Sequence, residues 1–537
     1  FTGDTNMGNL GEEWERPISA EYIDPVSNTS FQINGGLQLH GGNSRKPENS
    51  QKHSFRLTFR SKYGPSKLNY RLFDDNNATN LFNSLVFRAG YNYSWVKNNA
   101  TKRKRADYIR DPFAKNTQLD MGHLSAHNKF VHLYLNGLYW GLYNISEKIT
   151  NDFMESYMGG REDDWDVVKD HSEVVDGNRE AWNRLISQAN AGFSTSQAYQ
   201  KVQGRNQQGL PDQQCENLLD IDNLIGYMIY NIYIGNNDWD HNNWIAARNR
   251  ISPEYGFRFF CWDAEDALLD VNVNMTGENN NGNPSMIYTK LRQNEEFKMR
   301  FADHLQKYFF NGGALTPDSA ASRYARLARE IDLAIIGESA RWGDYRKDVM
   351  PSDADRLVYT RNEHWLPEVE GMLKNYFPIR SSIVLNQFRT AGLFPNLDAP
   401  DFSHSGGKTD FPLHLGISCK TGEIYYTTDL SDPRAPGGSI AIPSASIYTN
   451  PLILNGEVTV RARTKLGNTW SALTEAVFTG SGSVNTIYEE SHENKVTVQA
   501  YPNPFSHSTT IEISLEKTST IKAAVYGTDG RDRKSVV

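Results

Sequence analysis

Cysteine is scarce in this 537-residue chain: Cys215, Cys261 and Cys419 stand apart from one another. Three scattered thiols exclude a disulfide framework and a cysteine-bound metal, because neither has the paired spacing it needs. Long apolar runs are missing too. The longest, Leu224 to Gly235, is interrupted by tyrosines and asparagines and falls short of the roughly 20 apolar residues that span a bilayer. Positive charge is in deficit, since 56 Lys and Arg face 64 Asp and Glu for a formal charge of −8. That balance argues against broad electrostatic capture of nucleic acid, which needs a basic face to displace counterions. The one basic run, Lys102-Arg103-Lys104-Arg105, reads as a solvated loop. His123 and His127 are four apart, but Leu124 stands where a His-Glu-x-x-His zinc hydrolase requires Glu. No leader segment opens the chain at Phe1, so the expectation is either a cytoplasmic chain or one from which a leader has already been removed.

What remains is a globular composition, 38% hydrophobic and 22% charged, long enough for several units of roughly 100–200 residues. Aromatics are plentiful, which suits an extracellular carbohydrate-facing protein and ordinary core packing equally. Up to about residue 150 the pattern is that of strands. Gly36 to His40 leads into the turn-forming cluster Gly41-Gly42-Asn43-Ser44-Arg45, and Phe55, Leu57 and Phe59 then alternate with Arg56, Thr58 and Arg60. Val131, Leu133 and Leu135 alternate before Asn136-Gly137, a strong hairpin signal. From about Arg179 the spacing turns helical. Leu218, Ile221, Leu224, Ile225, Met228 and Ile229 predict a helix ending at Gly235. A hairpin follows, Trp244–Arg248 against Phe257–Phe260 with a turn near Ser252-Pro253. Residues 286–389 read as mostly helical, with Leu327, Ile331, Ala334 and Ile335 on one face.

The composition changes after Pro395. Asp398-Ala399-Pro400 and Ser405-Gly406-Gly407 look like a linker, and short strands with frequent turns predict an all-β sandwich over 396–480. Gly480-Ser481-Gly482-Ser483 begins a flexible tether over 481–495, and 496–537 reads as a last small β unit. The fold class is therefore α+β over 1–395, followed by all-β modules.

The stretch that carries chemistry runs from the Leu218 helix to Asp263. Its loop holds Asp238, with Asp240 as a rival, and Asn243 five residues on. After the hairpin the chain reaches Trp262-Asp263-Ala264-Glu265. Phosphoryl transfer needs a carboxylate to accept the hydroxyl proton and oxygen ligands for Mg²⁺. Helix, loop, hairpin and Asp in this order meet both needs. From spacing alone, Asp238 and Asn243 equally suit turn positions and Asp263 a helix cap.

Several segments resemble the CotH family of atypical, kinase-like phosphotransferases: Trp14-Glu15-Arg16-Pro17, the Gly41–Arg45 turn, Lys52 to Leu57, Tyr63-Gly64 with Leu72-Phe73, and most distinctively Asn136-Gly137-Leu138-Tyr139-Trp140-Gly141 through Glu147-Lys148. Asn237-Asp238-Trp239 to Asn243 and Trp262-Asp263 complete the set in order over about 11–395. The resemblance implies a kinase-like fold that uses Mg²⁺ to move phosphate from ATP to Ser or Thr hydroxyls of a protein substrate; oxygen ligands leave Mn²⁺ or Ca²⁺ open in place of Mg²⁺. It implies Asp238 as the catalytic residue and Asn243 and Asp263 as metal ligands, joined by Glu265 where many relatives have Asp. Lys52 is the expected cation on the phosphates, Glu147 its acidic partner, and Arg45 a further phosphate contact. No Gly-x-Gly-x-x-Gly loop is present, so another turn must cover the phosphates. The rival reading is a degenerate, non-catalytic surface domain that binds a partner or glycan.

Gly422 to Asp429, Ser431-Asp432-Pro433-Arg434, Val458 to Arg463 and Trp470-Ser471 resemble the C-terminal β-sandwich of chitobiase-type enzymes, expected here as a spacer in preference to a glycan-contacting surface, since no exposed aromatic row is evident. Tyr501-Pro502-Asn503-Pro504-Phe505, Thr509-Thr510-Ile511 and Val525-Tyr526-Gly527 resemble the type IX secretion sorting domain of Bacteroidetes, with an altered or truncated finish at Arg531–Val537. That resemblance implies a secreted or cell-surface protein without a transmembrane segment.

Overall fold

The computed structural model describes residues 11–252, 256–349 and 356–480, and the backbone of four strands beyond them. The first part is a six-stranded antiparallel sheet. Its chain-order strands are β1 (Arg16–Asp24), β2 (Thr29–His40), β3 (Ser54–Thr58), the short pair β4 (Leu68–Asn69) and β5 (Leu81–Phe82), β6 (Ser84–Arg88), β7 (Asn128–Leu135) and β8 (Leu138–Glu147). They lie in the order β1-β2-β3-β6-β8-β7, with β4 and β5 paired apart. Phe55, Leu57 and Phe59 are buried as their alternation predicts, which turns Arg56 toward the opposite face. Asn136 and Gly137 take φ of 50° and 79°, the left-handed pair that a two-residue hairpin turn requires.

This segment is not all strand. Helices Ala100–Lys104 and Arg110–Asp120 interrupt it between β6 and β7. The basic run is no solvated loop. Arg103 is buried and donates to the Lys97 carbonyl, Lys102 pairs with Asp266 at 2.9 Å, and Arg105 pairs with Glu368 at 3.2 Å. Neighbouring carboxylates consume the charge that composition left exposed. Nor do His123 and His127 share a helix face: His123 follows the helix end and meets the Tyr308 hydroxyl, while His127 precedes β7.

The second part is built around the helix Ile221–Ile234, buried at every position except Asp222. Asp220 caps its first turn by accepting from the Asn223 amide, and Gly235 ends it at φ 60°. Helices Pro284–Leu291, Glu295–Phe309, Pro317–Ile331 and Phe377–Thr390 join it in one large core. The face expected to continue from Leu327 to Ile335 is broken, because Asp332 ends one helix and Ala334 starts the next. A small sheet links the parts: β9 (Trp165–Lys169), β10 (Glu173–Asp176), β11 (Ile245–Asn249) and β12 (Arg258–Phe260), in the order β10-β9-β11-β12. β11 and β12 form the expected hairpin, although residues 253–255 at its turn lie outside the described residues.

The β module over 401–480 packs Leu415, Val460, Ala462 and Phe478 inside. It is fastened to the helical part, not loosely tethered. Arg463 is buried between Asp303 of the helix Glu295–Phe309 at 2.7 Å and Asp432 at 2.6 Å, and Arg434 pairs with Glu296 at 2.7 Å. Gly407, expected in a linker, pairs in parallel with Phe478. Further on, Val496–Tyr501 pairs with Thr510–Leu515 and Ala523–Tyr526 with Asp532–Val536. The tether 481–495 and the Pro-Asn-Pro-Phe segment 502–505 lie outside the described residues.

Candidate functional site

The loop between Gly235 and β11 is set by two side chains that point inward. Trp239 is buried and donates its indole N–H to the Tyr227 hydroxyl at 2.7 Å. Asp240 is buried and accepts from the Ser285 amide at 2.6 Å, the Ser285 hydroxyl at 2.8 Å and Asn280 at 2.7 Å. With those two turned in, Asp238, Asn242 and Asn243 line the cleft that the first sheet covers. Asp240 therefore anchors the loop, and of the two it is Asp238 that lines the cleft. The Asn243 amide donates to the Asp238 carboxylate at 2.9 Å and to its carbonyl at 3.0 Å. Asn243 and Asp263 have φ of 59° and 42°, sparsely populated backbone for residues other than glycine and a frequent mark of functional positions.

Asp263 follows β12 and faces Arg88 at the end of β6. The Arg88 Nη2 lies 2.6 Å from Asp263 Oδ1 and 2.9 Å from Glu265 Oε1, and its Nε lies 3.1 Å from Asp111 Oδ2. Burial pushes the Asp263 carboxyl up to about 6 despite Arg88, and the Glu265 and Asp111 charges add to the rise. The longer arm of Glu265 brings its other oxygen to the backbone N–H groups of Tyr91 at 3.1 Å and Asn92 at 2.8 Å. Asp111 is held at about 2, against its burial, by Arg88 and Lys115.

This donor set fits a hard divalent cation. The Asp263 and Glu265 oxygens already converge on one cationic nitrogen, and the Asn243 carboxamide lines the same cleft. Among the described residues no three His, Cys, Asp or Glu side chains form a ready-made metal cage. Such sparse protein ligation is usual for Mg²⁺ held largely by substrate phosphates and water.

The cleft measures about 1270 Å³, larger than most small-molecule sites of roughly 300–1,000 Å³. Eight cations line it: Arg16, Arg45, Arg56, Arg60, Arg88, Lys97, Lys148 and Lys169. Six carboxylates do too: Glu12, Asp170, Glu173, Asp238, Asp263 and Glu265. The surplus is positive in a chain that is negative overall. Among the described residues Arg16, Arg45, Arg56, Lys97 and Lys148 have no carboxylate within ion-pair distance. Arg45 sits in the Gly41–Arg45 turn with a buried Nε that lacks a hydrogen-bond partner. His40, beside it, is driven down to about 3 by burial and then by Arg88, Lys148, Arg56 and Lys169, so four cations converge on that wall.

Lys148 is lowered to about 8, first by burial and then by Arg56, and Lys97 is lowered to about 8 by burial and Lys102. Each is cationic below that pH and loses its charge above it. Affinity for a polyanion is therefore expected to be full below about 8 and to fall as the pH rises through it. Dissociation constants measured across that range check this, with Lys148→Met shrinking the fall and Lys148→Met combined with Lys97→Met flattening it; a flat wild-type profile would contradict it.

Two expected site residues lie elsewhere. Lys52 is buried outside the cleft and donates to Glu338 at 2.7 Å and to the Ala89 and Leu142 carbonyls at 2.9 and 2.8 Å. Glu147 accepts from the His127 amide at 2.8 Å and the Tyr157 hydroxyl at 2.6 Å. The expected Lys52–Glu147 pair is not formed. Each charge instead joins separate strands and a helix of the fold. Gly141 accounts for part of this, since a Cβ there would lie 2.7 Å from Glu338 Oε2 and 3.1 Å from the Lys52 side chain. Arg56 and Lys148 sit inside the motifs that suggested Lys52 and Glu147, and the outward register of Arg56 was readable from alternation. Arg88, Asp111 and Lys169 carried no such signal.

Fold and site together define a mixed α+β protein with a cationic cleft opposite a carboxylate loop and a β-rich C-terminal region. Residues 37–377 match the CotH kinase protein family, and the chain belongs to it. Residues 415–474 match the Fn3-associated domain. A comparison with curated proteins gives no match.

Proposed function

We propose that the protein is a phosphotransferase that moves the terminal phosphate of ATP to Ser or Thr hydroxyls of a protein. The observation that carries this reading is the set of five cations without carboxylate partners in the same cleft as Asp238, Asn243 and Asp263. The surplus of two positive charges on the lining suits a magnesium-bound nucleoside triphosphate, which carries about two negative charges. Asn243 and Asp263, with Glu265, would hold the cation, which would screen the phosphates and draw charge from the transferred group. Arg56, Lys148 and Arg45 would orient the phosphates, in place of Lys52. Asp238 would accept the hydroxyl proton, oriented by the Asn243 amide. Leu39, Ile149 and Trp262 supply apolar lining for a base.

The unpaired cations favour catalysis over a non-catalytic surface role, because leaving charges uncompensated in a cleft costs stability unless an anion completes them. The tail motif supports export by type IX secretion to the cell surface or medium. The chitobiase-like signature supports a spacer role for the β module, with glycan contact as the alternative. Incubation with ATP labelled in its terminal phosphate and Mg²⁺ or Mn²⁺ tests the reading. Label is expected in Ser or Thr of the protein itself or an added protein acceptor. No transfer with any divalent cation would contradict it.

A further inference from the structure

We propose that Arg88 is a displaceable counter-ion: it fills the gap between Asp263 and Glu265 in the empty protein and turns toward the phosphates when a divalent cation takes that gap. This rests on the phosphotransferase reading. The geometry has three parts. One nitrogen, Nη2, bridges Asp263 Oδ1 at 2.6 Å and Glu265 Oε1 at 2.9 Å, so a single positive charge neutralises two carboxylates that would otherwise repel. At the other edge of the guanidinium, Nε is held by Asp111 at 3.1 Å. The third nitrogen, Nη1, has no protein partner among the described residues.

The groups around Arg88 are fixed more firmly than its outer end. Asp111 accepts from Lys115 at 2.8 Å and from the Ala264 amide at 3.0 Å, so it stays in place as a tether. Glu265 is fixed by the Tyr91 and Asn92 amides and cannot follow Arg88 outward. A small divalent ion and a guanidinium cannot share the same two oxygens, because like charges at that range repel strongly. Arg88 would then pivot on Asp111 while its outer nitrogens remain in the cleft that Arg56 and Lys148 also line. Metal binding thus frees a fork suited to phosphate oxygens. The two ligands bind cooperatively for that reason.

The test is calorimetric titration of Mn²⁺ alone, without nucleotide, into the wild-type chain and Arg88→Gln. The variant is expected to bind Mn²⁺ about tenfold more tightly, since its competitor is gone. At saturating Mn²⁺ it is expected to bind a non-hydrolysable ATP analogue about tenfold more weakly. Arg88→Lys keeps the charge without the fork and should move both affinities in the same directions by less, which serves if the Gln variant does not fold. A residue with a purely structural role would move neither affinity in opposite directions. Unchanged or weaker Mn²⁺ binding in both folded variants overturns the proposal while the phosphotransferase reading stands. Failure of the wild type to bind Mn²⁺ or the analogue overturns that reading, and this proposal with it.

Discussion

Asp238→Asn is expected to leave the protein folded and able to bind nucleotide while lowering phosphate transfer by about 10²–10⁴-fold, the usual contribution of a general base. The Asp238 side chain is about two-fifths exposed, so an isosteric amide there costs little stability. Asn243 can still donate to the side-chain oxygen and to the Asp238 carbonyl, which keeps the loop in shape. Only the proton acceptor is lost. His241, 3.2 Å from the carboxylate, is the nearest group that could substitute. Single-turnover transfer rates, measured beside the thermal midpoint and nucleotide affinity, separate the two effects. A rate within a few-fold of wild type would remove Asp238 from the mechanism, and lost nucleotide binding would assign it to the binding set instead.

Lys52→Met is expected to destabilise the fold by about 3–5 kcal/mol, the cost of stranding one member of a buried ion pair. Both Lys52 and Glu338 side chains are fully inaccessible to solvent. Without the ammonium, Glu338 keeps the Leu142 amide at 2.8 Å and the Tyr108 hydroxyl, and two carbonyls lose their donor. Lys52→Met combined with Glu338→Met removes both charges and is expected to recover much of the loss, because apolar replacements of buried pairs are often tolerated. Denaturant unfolding of the two variants measures this. Were Lys52 the phosphate cation that sequence resemblance suggests, the single variant would instead lose nucleotide binding at little cost in stability.

The parts of the fold that sequence revealed are local. Helix Ile221–Ile234 shows its period and its glycine stop within a few turns of chain, and the hairpins β7-β8 and β11-β12 show theirs. The order Asp238, Asn243, hairpin, Asp263 follows from those elements. What sequence hid depends on partners far apart in the chain. Helix Arg110–Asp120 buries Arg110, Asp111, Lys115, Thr117 and Gln118, so it lacks the apolar stripe by which helices are recognised. Lys52 meets Glu338 across 286 positions, and Arg88 meets Asp263 across 175. No local pattern encodes those pairings. A lysine inside a family motif therefore looked like a ligand contact, while the arginine beside the carboxylates went unnoticed.

On the phosphotransferase reading, the cleft binds a metal-bound nucleotide through Asp263. Thermal unfolding with and without Mg²⁺-ATP, on the wild-type chain and Asp263→Asn, tests it most directly. Ligand at a hundred times its dissociation constant should stabilise the wild type by about 2.7 kcal/mol. The Asp263 side chain is about two-fifths exposed, so an isosteric amide there costs little stability. The Asn variant should therefore stay folded when no ligand is added, yet show no shift with Mg²⁺-ATP. A wild-type chain that does not respond to any nucleotide and divalent cation, or a variant that responds as strongly as wild type, would contradict the account.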